Sequence, residues 1–292
     1  MTPQTTTASA SGTWTLGDRT VNRIGFGAMR LTQHGEAFAA DAPPRDRDQA
    51  VSVLRRALDL GVNHIDTAAF YFSPLRSANE LINRALAPYP HDLVITTKVG
   101  PGRDPSGHWL PHAPGQLRGQ VQENLRQLGR DHLDVVNLRI VGTDSIAERF
   151  GALAELRTAG LIRHLGLSNI HPHQLTEAQA IAPVVCVQNM YGLGASPEQQ
   201  ELLDHCGRQR IAFVPFYAIA GTARTAGATT DPNPHVHEIA RAHGVSTAQI
   251  RLAWTLHQGP TSWPSPAPAT ATTSPEHRRQ HAAPVAGRTR HT

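Results

Sequence analysis

Seven short apolar runs alternate with stretches of helical periodicity between about residue 20 and residue 259, and this alternation limits the fold more than any other feature. The expected strands are 24–29, 64–68, 93–99, 133–140, 161–167, 184–188 and 211–216. The expected helices are 48–60, 77–86, 114–128, 145–159, 171–182, 197–208, 236–243 and 246–257. Strand–helix alternation implies an α/β protein with a parallel sheet covered by helices. Strands that recur about every 30 residues, seven or eight in number, favour a closed (β/α)8 TIM barrel over an open sheet. Ahead of them, Trp14 to Val21 reads as a hairpin turning at Gly17-Asp18 and plugging the barrel floor.

The ends read differently. Residues 1–12 are polar and Thr-rich and are expected to be a disordered tail. The barrel is expected over 13–259. Residues 260–292 are dominated by Pro, Thr and Ala with no apolar periodicity, a low-complexity tail that builds neither strand nor helix. That tail carries +3 of the formal net charge of +4, so the barrel is nearly neutral and gives no reason to expect a nucleic-acid surface. No apolar run approaches the roughly 20 residues of a membrane span. The two cysteines, Cys186 and Cys206, have no paired spacing, which points to a reducing, cytoplasmic setting. Among 17 histidines, the pairs His171/His173 and His235/His237 lack a cysteine or carboxylate in register, so no metal is expected.

In a barrel of this kind, function sits at the C-terminal ends of the strands. Those ends present Asp66 and Thr67 with Tyr71 just beyond, then Lys98, then Asn137 and Arg139. Ser168 and Asn169 follow, then Gln188 and Tyr191, then Phe216 and Tyr217. Lys98 is the one lysine among 27 basic side chains, and lysine is a compact point charge that can be buried and aimed at a single oxygen. An ammonium beside a phenol favours the phenolate and lowers the tyrosine's pKa, while an aspartate keeps the ammonium charged. Tyr71, Lys98 and Asp66 together can therefore deliver a proton to a carbonyl oxygen.

The stretch Asn63-His64-Ile65-Asp66-Thr67-Ala68 with Tyr71 resembles the first signature of the aldo-keto reductases. Thr96-Thr97-Lys98 resembles their lysine strand, and Gly25 to Arg30 their first strand end. Gly166-Leu167-Ser168-Asn169 and Val187-Gln188-Asn189-Met190-Tyr191 are similar to the segments that hold the nicotinamide carboxamide, and Phe216 falls where the family stacks an aromatic ring. The resemblance runs from about residue 13 to 259. It implies NADPH as cofactor and reversible reduction of a small-molecule aldehyde or ketone. It implies Asp66, Tyr71, Lys98 and Arg139 as catalytic residues, and Gly27, Met29, Asp66, Ser168, Asn169, Gln188, Phe216 and Tyr217 as the cofactor's surroundings. A non-catalytic nucleotide-binding regulator and a nonfunctional product of a broken gene stay open as alternatives.

Two departures stand out. The family normally has histidine where this chain has Arg139, which stays charged and cannot relay a proton. A site role and a salt bridge to a neighbouring carboxylate are both open to it. After Gly259 the last strand, its Pro-Gly turn and the grip on the cofactor's 2′-phosphate are missing. Read one base out of register, with both serines as TCN codons, Thr261 to Pro268 permits Val-Leu-Ala-Ile-Pro-Gly-Thr, which points to a shifted reading frame near Gly259.

Overall fold

A computed structural model describes residues 7–35, 38–39, 41–104, 106, 108–110, 114–219 and 233–259. Seven parallel strands form one curled sheet in chain order: β1 (Phe26–Gly27), β2 (His64–Asp66), β3 (Val94–Val99), β4 (Leu133–Arg139), β5 (Ile162–Ser168), β6 (Val184–Gln188) and β7 (Ala212–Phe213). Around it lie α1 (Arg47–Asp59), α2 (Ala78–Leu86), α3 (Leu117–Leu128), α4 (Ala147–Thr158), α5 (Pro172–Gln179), α6 (Pro197–Arg208), α7 (Pro234–His243) and α8 (Thr247–His257). The architecture is an incomplete (β/α)8 barrel. The expected tail at 260–292 and its altered frame lie outside the described residues, as do residues 1–6.

Helix boundaries follow side-chain caps. Asp46, Ser77, Ser196 and Ser246 each accept a backbone N–H of the first turn of the helix they precede, satisfying a donor the helix itself leaves open. Helix α1 then buries Ala50, Val51, Leu54 and Ala57, the face its apolar spacing prescribes. Strands β3 and β4 are buried along almost their whole length, as befits strands covered on both faces.

Strand pleating sorts the inward side chains into three layers. At the floor, Val94, Val135, Ala212 and Val214 pack with Leu16 and Val21. Leu16 and Val21 belong to an antiparallel hairpin, Thr13–Leu16 with Arg19–Asn22, so the expected plug is present. In the middle layer His64 Nε2 meets Thr96 Oγ1 at 2.9 Å, and the Cys186 thiol donates to Asn137 Oδ1 at 3.1 Å. Gly166 makes room for the second pair: a Cβ there would fall 2.1 Å from Asn137 Oδ1. The top layer is polar and is described below.

Two expectations need correction. Disorder was expected over residues 1–12, but Ala8–Ser11 form a 3-10 turn, Ala8 is buried, and its N–H donates to Leu60 O at 2.7 Å. The free carbonyl at the end of α1 is what that N–H satisfies. Strands β1 and β7 are two residues long where six were expected at each, since each is an edge strand with one ladder partner among the described residues. Arg23 Nη2 donates to Leu256 O and Gly259 O at 2.8 and 2.7 Å, tying the end of α8 to the residues leading into β1.

His64 makes the first testable prediction. Burial, reinforced by the Lys98 charge, holds its imidazole down at about 3. Unfolded, the same ring takes a proton near pH 6.5. Its contribution to stability is therefore complete above about pH 6.5 and declines as pH falls toward 3, at up to about 1.4 kcal/mol per pH unit. Urea unfolding at pH 7 and pH 4.5 reads this directly. His64→Gln is expected to flatten the difference, and an unchanged difference would remove the imidazole as its cause.

Candidate active site

The inward pleat that places Val94 at the floor brings Lys98, four residues on, to the top of β3. Its Nζ donates to both oxygens of Asp66, at 2.6 and 2.7 Å, and to Thr67 O at 3.1 Å. Asp66 ends β2, and the pair is sealed from solvent, at 4% and 5% exposure. Burial opposes the charge on Lys98, but Asp66 and Tyr71 together outweigh it and lift its pKa above the ordinary lysine range. Both oxygens of Asp66 lie on Lys98, so of the two roles expected for it the geometry builds the one toward lysine.

Tyr71 follows β2 through a turn in which its N–H donates to Ala68 O at 3.0 Å. Lys98 Nζ lies 4.9 Å from the centre of its ring. Burial pushes the phenol up. Lys98 pulls in the opposite direction, as the sequence suggested, and Asp66 adds to the rise. The net shift is upward, the reverse of the expected lowering, because the site excludes water more strongly than one ammonium can offset.

On the outer face of the same strands a buried amide chain fixes the two reactive ends. Thr67 Oγ1 donates to Asn79 Oδ1 at 2.8 Å, Asn79 Nδ2 to Asn124 Oδ1 at 2.9 Å, and Thr97 Oγ1 to that same oxygen at 2.6 Å. Helices α2 and α3 are thereby pinned to the residues adjoining Asp66 and Lys98. Gly100, at φ +126°, lets the chain beyond Lys98 pass against Arg139, whose carbonyl oxygen would lie 2.5 Å from an added Cβ.

Arg139 ends β4 in register with Ser168. Its Nη1 donates to Ser168 Oγ at 3.1 Å, and its guanidinium stands 5.1 Å from the centre of the Phe216 ring. No carboxylate lies within ion-pair distance among the described residues, so the salt bridge left open by the sequence is not the geometry found. Burial lowers its pKa, while Tyr71, Tyr217 and Asp66 act to raise it. Arg139 thus joins the catalytic candidates to the cofactor candidates.

Of the latter, Ser168 and Gln188 are buried at the ends of β5 and β6. Asn169, at φ +60°, donates its amide to Ile140 O at 3.1 Å. Phe216 continues the β6–β7 pairing, with its N–H on Asn189 O at 3.0 Å. The Tyr217 hydroxyl reaches Met29 Sδ at 4.0 Å, and Gly27 is buried in β1 beside Asp66. Gly25, two residues earlier, is a packing glycine: a Cβ there would lie 2.9 Å from the His64 ring.

Sequence reasoning missed the enclosure of Tyr71. Phe70 meets its ring edge-on at 5.2 Å and Phe38 at 5.9 Å, and both pack on Trp109. Arg103 holds these loops together by donating to Phe38 O, Phe72 O and Phe70 O at 2.9, 3.0 and 3.4 Å. The available signal was a concentration of aromatic residues in the loops after the first three strands.

The aldo/keto reductase family profile matches residues 23–283, most of the chain. The chain belongs to the aldo/keto reductase family. It is thereby an oxidoreductase. Pyridoxine 4-dehydrogenase of Escherichia coli is 42% identical over 259 residues, 86% of each chain. A thermostable aldo-keto reductase crystallised with the inhibitor epalrestat superposes with a TM-score of 0.72 at 25% identity, covering 92% of this chain and 91% of its own. An aldo/keto reductase of Klebsiella pneumoniae, crystallised with NADP and acetate, has the same fold at 24% identity. Its TM-score is 0.71, covering 92% of this chain and 88% of its own. No helix of the described residues is long and apolar enough to cross a membrane.

Proposed function

We propose that this chain uses NADPH to reduce an aldehyde reversibly to its alcohol, and that pyridoxal or a closely related aromatic aldehyde is the substrate. The observation that carries the reading is the buried Asp66–Lys98 pair lying against the Tyr71 ring at the C-terminal ends of the strands. The relative named pyridoxine 4-dehydrogenase supports the substrate class, because the alcohol on carbon 4 of pyridoxine and the aldehyde of pyridoxal are the two ends of one such reaction. NADPH accords with the NADP in the Klebsiella relative.

The residues present fit a nicotinamide. Among the described residues Gln188 Oε1 is a buried acceptor with no hydrogen-bond partner, suited to a carboxamide N–H. Ser168 Oγ accepts from Arg139 and keeps its own proton to donate. Asn169 retains its side-chain oxygen as an acceptor, Phe216 offers a flat apolar face, and Gly27, Met29 and Tyr217 close the side toward β1. When bound, NADPH supplies a hydride to the carbonyl carbon. Tyr71 gives its hydroxyl proton to the carbonyl oxygen and later regains one from solvent. Lys98 stabilises the phenolate left behind, and Asp66 keeps that ammonium charged and aimed. Since burial raises the Tyr71 pKa, the hydroxyl stays protonated at neutral pH, the form that reduction requires.

The full chain, mixed with NADPH and pyridoxal, is expected to consume the cofactor and yield pyridoxine, with no consumption when the aldehyde is omitted. Saturable NADPH binding without turnover of pyridoxal or any simple aldehyde would leave a nucleotide-binding regulator in place of a reductase.

A further inference from the structure

Among the described residues, no carboxylate lies within ion-pair distance of the Arg139 guanidinium at the end of β4. The nearby Asp66 is occupied by Lys98 through both of its oxygens. The bond to Ser168 Oγ is the only hydrogen bond Arg139 makes among the described residues, and a guanidinium carries five N–H donors in a planar fork. A half-buried cation with no carboxylate in ion-pair contact among the described residues is incompletely neutralised, and its surroundings favour a ligand that brings negative charge to it. The guanidinium carbon lies over the Phe216 ring, 5.1 Å from its centre, a cation–π contact that restrains the side chain. The other groups acting on it are the Tyr71 phenol, which burial keeps protonated at neutral pH, the Tyr217 phenol and, outside ion-pair distance, the Asp66 carboxylate.

We propose that Arg139 is a specificity-determining residue that selects aromatic aldehydes bearing an ionisable hydroxyl ortho to the aldehyde, as in 3-hydroxypyridine-4-carbaldehydes and salicylaldehyde. The inference rests on the aldehyde-reductase reading above and extends it to the substrate's second oxygen. In an ortho-hydroxy aldehyde the carbonyl oxygen and the ring oxygen lie on one edge of a planar system. Two N–H groups of a guanidinium meet two such oxygens in parallel, and the pairing is charge-assisted once the ring oxygen is ionised. Tyr71 remains the proton donor to the carbonyl oxygen, while Arg139 holds both oxygens in the plane that presents the carbon to the cofactor. The histidine expected at this position offers a single donor and no fixed charge, so it cannot make the second contact.

The test compares kcat/KM for four aldehydes with NADPH: salicylaldehyde, benzaldehyde, 2-methoxybenzaldehyde and 3-hydroxypyridine-4-carbaldehyde. The wild-type chain is expected to prefer both hydroxylated aldehydes over benzaldehyde by roughly tenfold to a hundredfold, the range of one hydrogen bond to a charged group. Much of that preference should appear in KM. The methoxy compound, which cannot ionise, should lose it without any change to the protein. In Arg139→Gln and Arg139→His, checked for retained thermal melting, the ratio should collapse to within about threefold of unity. A wild-type ratio near one, a methoxy compound as good as salicylaldehyde, or an unchanged ratio in a folded Arg139→Gln would each overturn the assignment. Turnover of benzaldehyde with no ortho preference would overturn it while leaving the reductase reading intact. No turnover of any of the four would instead remove the reductase reading, and this inference with it.

Discussion

Tyr71→Phe is expected to lower kcat for pyridoxal reduction by about a hundredfold to ten-thousandfold, the usual contribution of a positioned general acid. The ring that remains still meets Phe70 at 5.2 Å and Phe38 at 5.9 Å, so the aromatic enclosure survives. Only the hydroxyl is lost, and its removal takes away the proton source without opening a cavity. NADPH affinity should stay within about threefold of wild type, and the thermal midpoint should move little, since the change amounts to about 1 kcal/mol or less. Single-turnover kinetics, NADPH titration and thermal melting separate these effects. Undiminished turnover would take Tyr71 out of its role as acid. Lost turnover accompanied by lost cofactor binding would make the residue structural.

The reasons this site was visible before folding, and the reasons part of it was not, can be traced to particular residues. Asp66, Lys98, Arg139, Ser168 and Gln188 all stand at strand ends, and a period-two pleat carries side chains from a legible apolar run to the mouth of a barrel without further information. Strand 184–188 and helix 197–208 have the bounds expected of them, because Val-rich runs and a Ser-Pro helix start are local signals. The two edge strands were overestimated because ladder formation depends on a partner, which apolar residues alone do not specify. Phe38 and Trp109 arrive from non-periodic loops, and their packing on Phe70 depends on where Arg103 gathers three backbone carbonyls. The upward shift of Tyr71 was hidden for a related reason. Pairing with Lys98 can be read from spacing, whereas the degree of desolvation is a property of the assembled enclosure.

Lys98→Met is expected to abolish reduction and also to destabilise the fold, and the two effects have one origin. The substitution keeps the aliphatic stem but leaves the Asp66 carboxylate in a site where it is only 5% exposed, without the ammonium that both its oxygens contact. Breaking one side of a buried ion pair in this way costs about 3–5 kcal/mol. For a domain of this size that corresponds to a fall of roughly 6–20 °C in the thermal midpoint. Adding Asp66→Asn removes the stranded charge while keeping its shape, so the double variant should recover most of the lost stability. Activity should not return, because the phenolate of Tyr71 still lacks the ammonium that stabilises it. A double variant no more stable than Lys98→Met alone would mean that the pair is not the electrostatic unit its 2.6 Å contact implies. Turnover by either variant at near wild-type rates would show that the phenol needs no cation, and the chemistry assigned to the top of the barrel would have to be rebuilt around Arg139.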